Sequence, residues 1–240
     1  MLGRPARLGL SRRRRSGHDS HMQTPGLVIF DCDGVLVDSE VIACRTDAAC
    51  LAELGIAIST DEILDRYVGI SLAGMLADLA QRFGRTLPAD LADTLRRRTL
   101  AAFDTELTAI PGVADVLATI RPPVCVASSS EPARIRHSLA LVGLRQHFEP
   151  HIFSASQVAS GKPAPDLFLF AADRMAAPPD RCLVIEDSIA GVQAARAAGM
   201  RVFGFTGGSH CRPGHGDRLR ASGAALVFAE MSRLPGLLAA

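Results

Sequence analysis

After residue 106 the chain falls into an alternation that few folds can accommodate. Short runs rich in β-branched and aromatic residues, PVCVAS (123–128), HIFSA (151–155), CLVIED (182–187), RVFGF (201–205) and ALVF (225–228), are separated by segments with helical spacing at 113–120, 132–141, 165–175, 188–198 and near 231–238. Near-continuous apolar runs belong to strands buried on both faces. Helices between them imply parallel pairing through right-handed crossovers. The expected fold class is therefore α/β, a doubly wound, Rossmann-like parallel sheet.

The run LVIF at 27–30 has the same composition, and it delivers the chain into two aspartates one residue apart, Asp31 and Asp33, followed at once by Gly34. Between residues 39 and 107 there is no comparable run. That stretch reads as helices, including 41–54 ending at Gly55 and 71–83 ending at Gly84, each with glycine where a C-terminal cap favours it. The expected organisation is an α/β core from residues 23–38 and 108–240, a helical cap at 39–107, and a disordered basic arm at 1–22. An insertion after the first strand sits over the carboxyl ends of the strands, where an open α/β sheet binds its ligand. The arm carries Arg12-Arg13-Arg14-Arg15 but no apolar stretch of a secretory signal. It reads as a solvated tail, or as residues preceding a true start at Met22.

Charge excludes some partners. With 26 Lys+Arg against 25 Asp+Glu, the net charge of +1 gives no overall field for nucleic acid or an anionic membrane, and neither is expected as a partner. Charges or prolines interrupt every apolar stretch before it reaches the length of a membrane span. The six cysteines form no C-x-x-C and no Cys/His cluster of zinc spacing, and Cys32, Cys125 and Cys182 sit in or beside apolar runs as small hydrophobes. A monomer in a reducing cytoplasm is expected.

In such a sheet several strand ends converge on one place. Asp31 and Asp33 follow the first strand, Ser128 ends the second, Lys162 lies in ASGKPAPD after HIFSA, and Glu186-Asp187 close CLVIED. Four carboxylates, an ammonium and a hydroxyl suit a hard cation and an anionic substrate. Magnesium, which takes a few carboxylate oxygens and leaves its other positions to water and phosphate, is the expected ion. Lys162 is the one lysine in a chain that otherwise uses arginine, which suggests a site needing a compact point charge. Ser128 has two readings, a phosphate ligand or a cap for the helix near Pro132, with Ser130 as a second phosphate candidate. Ser188 reads as the N-cap of the helix that Gly199 closes.

The segments DCDGVLVDSE, VCVAS, GKPAPD and VIEDSIAGVQAARAAG, in this order, resemble the four motifs of the haloacid dehalogenase superfamily of phosphohydrolases, and the likeness spans nearly everything from Leu27 onward. The helical insertion resembles the small cap of the β-phosphoglucomutase-like branch. Within it the chain is particularly similar to 6-phosphogluconate phosphatase-like members, in its opening motif and in His137-Ser138 after the second. The resemblance implies that Asp31 is the nucleophile forming an aspartyl-phosphate and that Asp33 is the general acid and base. It also implies that Asp31, Asp33 through its carbonyl, Asp187 and Glu186 hold Mg²⁺, while Lys162 and Ser128 bind phosphoryl oxygens.

Specificity is carried by the cap. RYVGIS (66–71) resembles the specificity loop of this branch; it keeps Gly69 but has Val68 and Leu72 where the mutases carry basic residues, which argues against a sugar-phosphate mutase. The cap has no lysine for the Schiff base of a phosphonate hydrolase, and Asp33 is superfluous in a dehalogenase. A phosphatase for a small phosphorylated sugar or sugar acid is expected, with Ser128, Ser130, Lys162, Gly69 and Arg66 against the substrate. Arg45 and Arg66 have a second reading as surface ion pairs. The other function classes are the mutase, a phospho-accepting signalling domain and a non-catalytic binding protein.

Overall fold

In the computed structural model, which describes residues 24–239, every residue of β1 (Leu27–Phe30) is buried. The basic arm expected at 1–22 lies outside the described residues. Side chains alternate across a strand, so Val28 and Phe30 enter one apolar core and Leu27 and Ile29 enter another on the opposite face. A strand buried on both faces belongs in the middle of a sheet. β1 is there, in parallel register with β2 (Val124–Ser128) on one side and with the Cys182–Glu186 strand on the other. With β3 (Ile152–Ser154), β4 (Cys182–Glu186), β5 (Arg201–Phe205) and β6 (Leu226–Phe228), the sheet order is β3-β2-β1-β4-β5-β6 with every neighbouring pair parallel. This is the doubly wound α/β fold predicted from the alternation.

The stretch after β1 forms α1 (Glu40–Glu53), α2 (Thr60–Tyr67), α3 (Leu72–Phe83) and α4 (Leu91–Glu106), whose Leu51, Ile63, Leu79 and Leu95, with Ile56 between α1 and α2, make an apolar core separate from those of the sheet. The chain enters and leaves this bundle at one place. Val37 bridges Ala109, the Asp38 amide donates to the Thr108 carbonyl at 2.9 Å, and the Ile110 amide donates to the Leu36 carbonyl at 3.0 Å.

Beyond it, α5 (Val113–Thr119) and α6 (Pro132–Leu141) cover one face of the sheet, and α7 (Asp166–Arg174), α8 (Ile189–Ala197) and α9 (His215–Ala221) cover the other. α10 (Leu234–Ala239) returns to the first face. Two features depart from the sequence reading. α9 was not anticipated, because HGDRLRA buries Leu219 alone and so has no apolar period to detect. The last expected helix divides into a 3₁₀ turn (Met231–Arg233) and α10, with Pro235 in the first turn of α10, where its missing N–H costs nothing. Among the described residues no helix is long and apolar enough to cross a membrane.

Candidate active site

The chain runs from β1 to β2 on one side of the sheet and later to β4 on the other, so the carboxyl ends of β1 and β4 flank the point where the strand order reverses. Asp31 continues β1, its amide donating to the Ile185 carbonyl at 3.0 Å, and Asp187 follows β4. Lys162 comes from the loop after β3 and buries its ammonium between them, 3.0 Å from Asp31 Oδ1 and 2.6 Å from Glu186 Oε1. Glu186 is fully engaged: its Oε2 accepts from the Ser188 amide at 2.8 Å and from the Ser188 hydroxyl at 2.9 Å. Ser188 in turn caps α8 by accepting from the Gly191 amide at 3.0 Å.

Asp31, Glu186 and Asp187 bring carboxylate oxygens within 4.8 Å of one another. One ammonium does not balance three carboxylates. Burial first, then the neighbouring carboxylates, push Asp31 and Asp187 well above the ordinary aspartate value, with Lys162 opposing. Burial alone would depress the Lys162 ammonium, but Asp31 and Glu186 hold it above the usual lysine range. Asp187 Oδ1 is buried with no hydrogen-bond partner. A buried, unsatisfied carboxylate oxygen beside two more carboxylates is the donor set a hard divalent cation takes, so these residues fit the magnesium expected from the sequence.

Two glycines let backbone approach this cluster. A Cβ at Gly34, whose φ is +77°, would lie 1.9 Å from Asp187 Oδ2. One at Gly191 would lie 1.7 Å from Glu186 Oε1. In an exposed helix, Gly→Ala gains up to about 1 kcal/mol. Here Gly191→Ala is expected to lose about 1–3 kcal/mol, because Glu186 cannot shift without abandoning Lys162 and Ser188. Chemical denaturation of the variant measures this, and a stabilised variant would contradict the packing described.

The Asp33 side chain stands apart from that cluster. Its Oδ1 accepts from Ser39 Oγ at 2.6 Å and from Arg134 at 3.0 Å, and its Oδ2 accepts from Ser130 Oγ at 2.6 Å. Burial raises the Asp33 pKa, but Arg134, Ser130 and Ser39 outweigh it and hold the carboxyl below the ordinary range. The Arg134 guanidinium is itself seated over the Phe103 ring of α4, 5.0 Å from its centroid. Ser130 is therefore turned to Asp33. Ser128 Oγ accepts from the Ser130 amide at 3.1 Å, and α6 begins after Glu131 with no side-chain cap, so capping α6 is not the role of Ser128.

Above these groups lies a cavity of about 180 Å³, lined from the core by Asp31, Asp33 and Ser128 and from the helices by Glu40, Asp47 and Gly69. Burial, then Asp33, pushes Glu40 up to about 8, and burial pushes Asp47 up to about 6 against the pull of Arg134. Gly69 also seats the bundle on the core: its carbonyl accepts from Ser129 Oγ at 2.8 Å. Arg66 and Arg45 lie elsewhere. Arg66 is exposed, 3.4 Å from Glu62, and faces a separate cleft, while Arg45 pairs with Glu106 at 2.7 Å.

Sequence reasoning missed Ser39, Glu40, Arg134 and His210, the last with Nε2 2.9 Å from Asp187 Oδ2. Ser39 and Glu40 stand inside DCDGVLVDSE and were open to discovery there, whereas nothing local marks Arg134 or His210. The cysteines form no Cys/His cluster of zinc spacing in the sequence, but the fold brings one of them close to two histidines. The turn before α9 brings ligand atoms of His210, Cys211 and His215 within 4.8 Å of one another.

Residues 25–199 match the family model described as haloacid dehalogenase-like hydrolase. The chain is 34% identical over 211 residues to 6-phosphogluconate phosphatase of Escherichia coli (strain K12), covering 88% of this chain and 93% of that protein. A conserved haloacid dehalogenase-like protein of unknown function from Agrobacterium tumefaciens superposes with a TM-score of 0.76 at 41% identity, covering 89% of this chain and 97% of the other. A family hydrolase from Deinococcus radiodurans, solved with bound phosphate and sodium, gives 0.70 at 38% identity and covers 90% and 96%.

Proposed function

This chain belongs to the haloacid dehalogenase-like hydrolase family, and from that premise we propose that it is a Mg²⁺-dependent phosphatase acting on a small phosphorylated sugar or sugar acid. The reading rests above all on one observation: a buried ammonium, Lys162, lies 3.0 Å from Asp31 Oδ1 at the switch point of the sheet, with Asp33 two residues on and a cavity above. The likeness to 6-phosphogluconate phosphatase supports a sugar-acid ester in particular. Glu40 and Asp47 supply carboxyl groups to hydrogen-bond the hydroxyls of such a substrate.

In the proposed reaction an Asp31 carboxylate oxygen attacks phosphorus, and the bond from phosphorus to the ester oxygen breaks. Asp33 delivers a proton to the departing alkoxide. Water then attacks the aspartyl-phosphate, Asp33 takes a proton from it, and Asp31 and inorganic phosphate are regenerated. Lys162 and the Ser128 hydroxyl hold phosphoryl oxygens, and Lys162 opposes the burial and neighbouring carboxylates that favour protonation of Asp31. Arg134, Ser39 and Ser130 store Asp33 as an anion, the form its second task requires, so proton delivery in the first step requires release from Arg134. When bound by Asp31 and Asp187, with Glu186 beside them, Mg²⁺ supplies positive charge that offsets repulsion between the nucleophile and the phosphate. Six unpaired cysteines favour a reducing compartment.

The test is phosphate release from a panel of phosphorylated sugars and sugar acids, with Mg²⁺ and with a chelator. Multiple turnover with Mg²⁺ and a loss of at least about 10²-fold on chelation is expected. One equivalent of phosphate retained per chain would instead favour a phospho-accepting domain. Folded protein with no release from any ester would overturn the phosphatase reading.

A further inference from the structure

The turn between β5 and α9, together with the first residue of α9, carries a second group of metal-ligating side chains, His210, Cys211 and His215, that the proposed reaction does not use. We propose that it is a site for a thiophilic divalent cation of the Zn²⁺ class, built from two imidazoles and a thiolate, distinct from the carboxylate cluster that suits Mg²⁺. Two imidazoles with one thiolate form a borderline-soft donor set, whereas Asp31, Glu186 and Asp187 form a hard one.

His215 already makes the contact that orients a metal-bound histidine. His215 Nε2 lies 2.6 Å from the Asp187 carbonyl, to which it donates, and this leaves Nδ1 with the lone pair. His210 Nε2 lies 2.9 Å from the Asp187 carboxylate, and its Nδ1 is buried with no hydrogen-bond partner. Cys211 Sγ lies beside Nε2, so Nε2 is the nitrogen His210 offers a cation together with the thiolate. Cys211 completes the set with Sγ 3.4 Å from His210 Nε2.

Access and charge agree with this. Cys32, Cys44, Cys50, Cys125 and Cys182 are buried, and Cys211 alone is partly exposed. His210 and His215 line an open cleft of about 490 Å³, which gives a cation a way in and a water for the fourth position. Of the cleft's cationic residues, Arg212 and Arg218 pair across it with Asp61 and Asp65 of α2, and Arg66 pairs with Glu62 on its own helix. Room for the His210 ring is made by Gly208, where a Cβ would lie 2.8 Å from both Cε1 and Nδ1.

Cobalt(II) is the probe, since a thiolate ligand gives it a charge-transfer band in the near ultraviolet and tetrahedral coordination intensifies its visible bands. Titration of the full chain in excess Mg²⁺ should produce both signals, saturating at one equivalent, and Zn²⁺ should displace them. Cys211→Ser should abolish the charge-transfer band and weaken Co²⁺ binding at least about tenfold, in keeping with the loss of one ligand. His215→Asn should weaken binding by a similar factor. Asp31→Asn should leave the band in place, because Asp31 belongs to the other cluster. Absence of the band in wild type, its persistence in Cys211→Ser, or its loss in Asp31→Asn would each overturn the proposal. The outcome does not depend on whether the chain is a phosphatase.

Discussion

Asp31→Asn is expected to reduce Mg²⁺-dependent phosphate release by on the order of 10⁴-fold or more while leaving the protein folded. The substitution is isosteric, keeps the amide that donates to the Ile185 carbonyl, and removes one of three mutually repelling carboxylates. Stability without metal should therefore rise slightly or hold, and the loss should fall on kcat. A parallel measurement of kcat and the unfolding midpoint separates a lost nucleophile from a lost fold. If Asp31→Asn turned over within tenfold of wild type, the aspartyl-phosphate route would be wrong.

Lys162→Met should have the largest effect on stability. Its ammonium is completely buried and is the cation within 3.0 Å of both Asp31 and Glu186, so removal leaves buried carboxylates uncompensated. Breaking a buried pair from one side costs about 3–5 kcal/mol. The sign with pH follows from the raised pKa values of Asp31 and Asp187. Groups that bind protons more tightly when folded stabilise the fold below their unfolded value of 3.8, and that contribution is lost as pH rises through the folded value. The Lys162→Met defect should accordingly be larger at pH 8 than at pH 5, and Mg²⁺ should restore part of it by binding the folded state alone. Denaturant unfolding at the two pH values, with and without Mg²⁺, reads this directly. A variant as stable as wild type at pH 8 without metal would mean that Lys162 does not hold the carboxylates together.

What could be read in the sequence divides by the distance over which residues act. LVIF announced a central strand because its burial on both faces leaves no room for polar residues, and the same logic placed the other strands. Asp31, Ser128, Glu186 and Asp187 were legible because they close such runs, and Lys162 because no other lysine competes with it. Arg134 was not. It stands 101 residues from Asp33 in a chain rich in arginine, and what makes it matter is the fold of α6 against α4, where Phe103 supplies its seat. Arg66 misled for the complementary reason: its neighbour Gly69 does line the cavity, but one turn of α2 aims the arginine into a different cleft. The 210–215 turn shows the same limit. Adjacent His210 and Cys211 match no zinc spacing, yet α9 returns His215 to them.

The paired strands of chain at Leu36–Asp38 and Thr108–Ile110 have a consequence for how such a molecule can change over generations. Because the helical bundle is spliced in at one seam and carries its own apolar interior, its residues can vary without repacking the sheet, Ser39 against Asp33 and Phe103 beneath Arg134 excepted. Asp31, Lys162, Glu186 and Asp187 all sit on the sheet side of that seam, while Glu40, Asp47 and Gly69 sit on the other. The chemical half of the cavity and its recognising half are thus separately inheritable. A lineage can retune what it accepts by drifting in α1 to α4 while the reacting groups stay fixed, and a bundle transplanted at the same seam should carry its preferences with it.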